Sequence, residues 1–284
     1  MLFVIGACLG SFLCCQARRL HLKTVKSKTT KHLGARSVCL SCYRQLKWYD
    51  NLPIISWLML GGKCRHCHHR IGCAEILSEL CLGLAFCCLS TTINVTTHTP
   101  MEWLAFVMVL VFTIVVGFLA IYDGLYGELP TIGLFFAIGL AVVYCIIRII
   151  STSALTSFSW ISFTDVLFSV LILGGLYLVL YLISKGKWVG DGDWLLATAI
   201  AIVLAHPWLA LNALFVSNLV ACAVALPQLK LKTAHQIHLG PYLVIGFVVV
   251  YVMAGPLLGF LNNNVAILHY FTQTTKHYVI INLW

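Results

Sequence analysis

The sequence predicts an all-α polytopic integral membrane protein with about eight transmembrane helices and a small metal-stabilised loop. Three observations carry that fold class. The 284 residues are 61% hydrophobic and only 10% charged, with mean hydropathy +0.95; a soluble domain carries about 25% charged residues. The apolar residues fall into long runs, several near the roughly 20 residues that cross a bilayer. The basic residues are lopsided, twelve of the 18 Lys and Arg lying between Arg18 and Arg70. Such a patch suits nucleic acid or anionic lipid. Beside membrane spans it is the positive-inside signal, so membrane lipid is expected as a partner and nucleic acid is not.

Residues 2–17 open the chain as an apolar run. A secretory signal would carry positive charge before its apolar core. Here Arg18 and Arg19 follow the run instead, where they can snorkel. Residues 1–17 are therefore read as an uncleaved first helix with its N-terminus outside. Residues 18–73 form a long polar loop rich in Lys, His, Cys and Gly. Apolar runs follow near 74–93, 101–122, 131–151, 164–184, 193–206, 208–226 and 241–261, which makes eight spans and a membrane core over 74–261. The 193–206 run is short; tilting, half-burial and continuity with the next helix all fit it. Residues 262–284 open with three asparagines and are read as a C-terminal tail, with a ninth span the weaker reading.

Threading the chain with its N-terminus outside puts loops 18–73, 123–130, 185–192 and 227–240 in the cytoplasm. Those loops hold 16 of the 18 basic residues, leaving only Arg148 and Lys276 elsewhere. The same threading brings Asp123 and Asp193 to one face of the membrane, the cytoplasmic one. No internal sequence repeat is evident.

Of 13 cysteines, most lie in or beside apolar runs and act as small hydrophobes. Four form two CxxC pairs in the basic loop, Cys39/Cys42 and Cys64/Cys67. A cytoplasmic loop keeps them reduced. Two CxxC pairs at this separation suit a four-cysteine structural zinc site, each pair presenting two thiolates to one ion. A loop with little apolar material gains a core from such an ion. Redox dithiols are the alternative, and His66, His68 and His69 are substitute ligands. Between the pairs, residues 48–57 carry Trp48, Tyr49, Pro53 and Trp57, a composition that favours the membrane interface.

Two carboxylates stand out. Asp123 follows Tyr122 at the end of the third span, ahead of Leu129-Pro130, and Asp193 starts the sixth span after Gly190-Asp191-Gly192. An ionisable residue at the lip of a span is a functional-site hypothesis by default. Brought close, two carboxylates share a proton: one activates water while the other, protonated, polarises a carbonyl. A helix N-terminus favours a negative charge, so position alone accounts for Asp193. It does not account for Asp123 at a C-terminal end. Asp191 competes with Asp193, and Glu128 with Asp123. Glu75 and Glu79, at the same end of the second span, take helix-end roles or line the same cleft.

These residues resemble a known family, the bacterial type IV prepilin peptidases, over roughly residues 5–250. Gly10-Ser11-Phe12-Leu13 with Arg19-Leu20 is similar to the family's opening helix. The two CxxC pairs flanking Trp48 to Leu58 resemble its cytoplasmic loop, and Glu79-Leu80 the acidic residue of its second span. Asp123 to Pro130 resembles its first catalytic segment, Gly190 to Asp193 its GxGD segment, and Leu239-Gly240-Pro241 its late Gly-Pro motif. The resemblance implies an inner-membrane aspartic endopeptidase that removes the basic leader of type IV prepilins or pseudopilins after a Gly. It also implies that the new N-terminus is methylated from S-adenosylmethionine, with Asp123 and Asp193 as the catalytic pair and Cys39, Cys42, Cys64 and Cys67 as the zinc site. Three positions depart from the family pattern: Cys14 stands in place of Asn, Leu195 of Lys and His238 of Pro. None removes a catalytic group. The rival readings are a presenilin-like intramembrane protease, which needs a Pro-Ala-Leu that is absent here, a transporter with a carboxylate relay, and a membrane-anchored zinc module.

Overall fold

The structure, a computed structural model, describes residues 1–25, 37–39, 41–92, 100–153, 160–230 and 238–258. The elements in order are α1 (Leu2–Thr24), a 3₁₀ turn (Trp48–Asn51), α2 (Ile55–Met59), α3 (Cys73–Ser90), α4 (Pro100–Tyr126), α5 (Thr131–Ser153), α6 (Trp160–Val170), a π-helical turn (Leu171–Gly175), α7 (Leu176–Ser184), α8 (Asp193–Leu204), α9 (Pro207–Lys230) and α10 (Gly240–Val252). The only β pairings among the described residues are two isolated bridges in the cysteine loop. Among the described residues, six helices are long and apolar enough to cross a membrane, and α8 and α10 are shorter apolar helices. The expected all-α polytopic architecture is present, as is the small loop with a four-cysteine cluster that could hold a metal. The weaker ninth span lies outside the described residues.

Two of the boundaries that differ from the sequence reading bear on the site. The first helix runs on past Arg18 to Thr24, because Gln16 to Leu22 contain no Gly or Pro to end it. The third span reaches Tyr126, so Asp123 sits inside the last turn rather than beyond it. The long span over residues 164–184 is α6 and α7 joined through the π turn. There Gly174 meets Thr198 of α8 so closely that an added Cβ would collide with its side chain.

Packing follows residue size. Gly6 and Gly10 lie one turn apart on α1 against the backbone of Ser78, Glu79, Leu82 and Gly83 on α3, a small-xxx-small contact that lets two membrane helices approach closely. Gly246 of α10 packs in the same way on Ala213 and Ser217 of α9. The main core joins Val109, Phe112, Val116 and Leu119 of α4 to Leu196 and Ile200 of α8 and to Leu243 and Phe247 of α10. Large apolar side chains outside this core, such as Phe135, Phe136, Phe168, Leu182 and Phe215, are exposed. An exposed apolar surface of that extent marks a membrane or protein contact.

The short sixth span has its explanation here. Eight of the 12 residues of α8 are buried, so the helix is enclosed by its neighbours rather than facing lipid. It is not continuous with α9, since Ala205 turns left-handed (φ 50°) and ends it. Its N-terminal Asp193 is thereby held within the bundle.

Candidate active site

Among the nine acidic residues, three are buried: Glu79, Asp123 and Asp193. Asp123 lies one turn before the end of α4 and is 5% exposed. Gly127 closes that turn with a left-handed φ of 69°, and its N–H donates to the Asp123 carbonyl at 2.7 Å. The Asp123 carboxylate accepts the backbone N–H of Gly240 on Oδ2 at 3.0 Å. Gly240 is the first residue of α10, so the donor is one of the orphan N–H groups of a helix start. The partial positive charge of that N-terminus faces the carboxylate. An acid at the end of α4 is thus compensated by a second helix, which the sequence order conceals.

Asp193 is the first residue of α8 and is 6% exposed. Its Oδ2 accepts the Gly190 N–H at 2.9 Å, while its own N–H donates to the Gly190 carbonyl at 3.3 Å. Gly192 packs against Leu129 and Leu134, where a Cβ would come within 2.6 Å of the Leu129 Cβ. The turn after α4 and the turn before α8 therefore interlock, and Asp123 lies within electrostatic reach of Asp193. Each carboxylate is anchored through Oδ2, and no hydrogen bond occupies either Oδ1 among the described residues. Of the competing acids, Asp191 and Glu128 are exposed rather than buried, and Asp191 faces Tyr181 of α7.

His238 has a place here that the sequence reading noted only as a departure. Its ring lies over Gly127, with Cε1 2.6 Å from where a Cβ would stand, and it too is within electrostatic reach of Asp193. His21 of α1 stacks on Tyr126, in the last turn of α4, with centroids 3.7 Å apart and planes 5° from parallel. That stack joins the helix entering the cysteine loop to the helix carrying Asp123.

The four loop cysteines form one cluster. Their Sγ atoms lie within 4.8 Å of one another, and Cys39 Sγ to Cys67 Sγ is 3.8 Å. Four sulfurs about 2.3 Å from a tetrahedral zinc stand about 3.8 Å apart, so the donor set fits that ion. The two CxxC turns repeat each other in structure. Cys39 N–H donates to Arg44 O and Tyr43 N–H to Cys39 O; Cys64 N–H donates to His69 O and His68 N–H to Cys64 O. Tyr43 and His68 both take left-handed φ, 56° and 54°, and isolated bridges Val38–Gln45 and Lys63–Arg70 close each turn. Backbone N–H groups of Cys67 and His66 lower the Cys64 thiol to about 7, towards the thiolate that a metal needs. His66 turns away to the Arg44 guanidinium, Nδ1 to Nη1 3.3 Å.

Glu75 and Glu79 join this loop to the membrane helices. Glu75 pairs with Arg18 of α1 at 3.0 Å. Glu79 accepts the Ile54 N–H at 2.6 Å, holding a β-branched residue at φ 64°, a conformation that costs energy. A cavity of about 570 Å³ lies between loop and helices, reaching Arg18, Trp57, Cys64, His66, Glu75 and Glu79. The aromatic segment 48–57 exposes Trp48 and Ile55, and Leu58 and Met59 beyond it, as an interfacial segment would.

Comparison with known proteins agrees with the motif reading. Residues 4–93 match the family described as Bacterial Peptidase A24 N-terminal domain. A protein named prepilin leader peptidase/N-methyltransferase from Myxococcus xanthus is 40% identical over 85 residues, covering 30% of this chain and 24% of the relative. One of the same name from Vibrio cholerae is 47% identical over 45 residues, 16% of this chain and 18% of the relative. A third, from Aeromonas hydrophila, is 27% identical over 218 residues, 74% of this chain and 69% of the relative. The chain thus spans a quarter or less of the first two relatives. The third match, about three quarters of 284 residues, is too long to avoid either Asp123 or Asp193 wherever it starts. No solved structure matches. The resemblance to bacterial type IV prepilin peptidases, read from the motifs, is borne out.

Proposed function

We propose that this chain is an aspartic endopeptidase of the bacterial inner membrane that removes the leader of type IV prepilins or pseudopilins. Cleavage falls after a Gly at the cytoplasmic face, and the new N-terminus is then methylated, S-adenosylmethionine being the methyl donor. One observation carries the peptidase reading: two buried carboxylates, Asp123 and Asp193, are each fixed by a backbone N–H and held in reach of one another where two turns interlock. The names of the relatives supply the substrate class and the second activity.

The chemistry follows from the anchoring. Two carboxylates in one cleft hold a single proton between them. The ionised one takes a proton from water as the oxygen attacks the scissile carbonyl carbon. The protonated one donates to the carbonyl oxygen, giving a neutral gem-diol intermediate. Collapse passes a proton to the leaving nitrogen, releases leader and mature pilin, and returns one proton to the pair. Anchoring through Oδ2 pre-sets both carboxylates, which removes reorganisation from the barrier. With Asp123 at the end of α4 and Asp193 at the start of α8, the pilin's apolar helix lies alongside in lipid while its basic leader reaches acidic groups at the rim.

Zinc would be held by Cys39, Cys42, Cys64 and Cys67 as a structural ion. Bound there it would stabilise the loop, with proteolysis left to the aspartates. The decisive experiment incubates purified protein with a type IV prepilin and S-adenosylmethionine and reads the product by mass spectrometry, beside Asp123→Asn and Asp193→Asn variants checked for folding. Cleavage by wild type alone supports the pair, and an added methyl supports the second activity. Unchanged cleavage in either variant sinks the assignment.

A further inference from the structure

The charge pattern that orients the chain leaves Arg148 unexplained. It lies on α5 within a segment apolar enough to cross a membrane, where an ionisable residue is costly and usually functional. α4 reaches Asp123 near its C-terminal end and α5 runs back from Thr131, so Arg148 stands at the opposite end of the bundle. There it lines a cavity of about 530 Å³ with the C-terminal ends of α8 and α10, a volume suited to a small ligand.

The polar lining is organised. The Arg148 Nη1 donates to the Tyr144 hydroxyl at 3.3 Å, and that hydroxyl shares a hydrogen bond of 2.8 Å with Tyr251. Tyr144 is buried, while Arg148 remains accessible from the cavity. His206 accepts the Trp208 N–H on Nδ1 at 3.2 Å. The neutral ring then carries its proton on Nε2, a second donor. Asp165 of α6 adds a carboxylate to the same cavity, and Leu209 and Leu258 belong to its apolar wall.

We propose that this cavity binds a phospholipid headgroup of the phosphoethanolamine type. The phosphate takes the Arg148 guanidinium, whose planar donor set suits phosphate oxygens, and the Nε2–H of His206. The ammonium takes Asp165. A cation and an anion in one cavity match a zwitterion better than a simple anion. The apolar wall matches the attached hydrocarbon, for which free phosphate has no use. The helix ends place the site at headgroup depth. The site is remote from the aspartates and independent of the reaction assigned to them.

The test uses the full chain, purified in detergent and stripped of lipid. Phosphatidylethanolamine, phosphatidylglycerol or inorganic phosphate is added back, with bound lipid read by intact-complex mass spectrometry and Tm recorded alongside. The expected result is one phosphatidylethanolamine per chain with a raised Tm, less phosphatidylglycerol, and no Tm shift from inorganic phosphate. Arg148→Gln should weaken retention about tenfold, the scale of one charged hydrogen bond, and Asp165→Asn should abolish the preference between the two lipids. If Arg148→Gln does not fold, His206→Phe and Asp165→Asn carry the test. Equal retention in the variants and wild type, or an equal Tm shift from inorganic phosphate, overturns the lipid site. Wild-type preference for phosphatidylglycerol overturns the assignment of Asp165.

Discussion

The N–H of Gly240 donates to Asp123 Oδ2 at 3.0 Å, joining residues 117 positions apart. This single bond turns the start of α10 into the electrostatic support of a carboxylate that sits at the unfavourable end of α4. It also explains why the position is Gly. An added Cβ would lie 2.7 Å from Asp123 Oδ2 and 3.2 Å from its Cβ and Cγ, too close unless the carboxylate moves.

Gly240→Ala is therefore expected to leave the fold intact and damage the site. Alanine favours helix by up to about 1 kcal/mol over glycine, so Tm should not fall greatly. Displacing a pre-set carboxylate by about 1 Å costs on the order of 100-fold in rate. The check is prepilin cleavage against Tm. Full activity would mean that this anchor does not set the reacting geometry.

Gly127→Ala tests the neighbouring turn. Its φ of 69° strains any other residue by about 1–2 kcal/mol, and the new methyl would strike the His238 ring. The variant should lose stability and cleavage together. Adding His238→Ala should recover part of the loss, because it removes the clash and leaves the backbone strain. Strict additivity in that double-mutant cycle would argue against contact between the two positions.

Much of this was legible in the sequence, for identifiable reasons. Hydropathy finds spans because a bilayer demands about 20 apolar residues, and CxxC spacing finds the four-cysteine cluster because each pair is local. The aspartates were visible as acids at span ends. Their anchors were not, since Gly240 lies 117 positions from Asp123 and hydrogen bonds between turns leave no periodic trace. The enclosure of α8 was hidden too: the apolar run 193–206 looks too short to span until its neighbours are seen to bury it. The packing of the His238 ring over Gly127 was hidden for the same reason, since it joins positions far apart in the chain.

The cysteine cluster should bind one zinc per chain. Metal analysis of purified protein should return about one equivalent for wild type and much less for Cys64→Ser, which removes one of the four clustered thiols. Chelation should expose loop residues 37–72 to proteases and change the fluorescence of Trp48 and Trp57, leaving the membrane helices protected. Wild type without metal, or a loop equally resistant after chelation, would rule out a structural ion.

Gly10→Leu separates the loop's support from the aspartate pair. Gly10 lies against the backbone of Ser78 and Glu79, where even a Cβ would meet the Glu79 Cα at 2.8 Å. A leucine there must push α1 away from α3, at a cost of about 1–3 kcal/mol or more. The displaced helices carry Arg18, Glu75 and Glu79, so the Arg18–Glu75 ion pair and the Glu79 contact to Ile54 should loosen with them. Asp123 and Asp193 are held by α4, α8 and α10, whose core does not run through Gly10. Hydrogen exchange should thus rise at Ile54 and around the cysteine turns, while cleavage falls less than in Gly240→Ala. A variant in which both readouts collapse together would mean that the loop and the aspartate pair fold as one unit, with the His21–Tyr126 stack as the natural link between them.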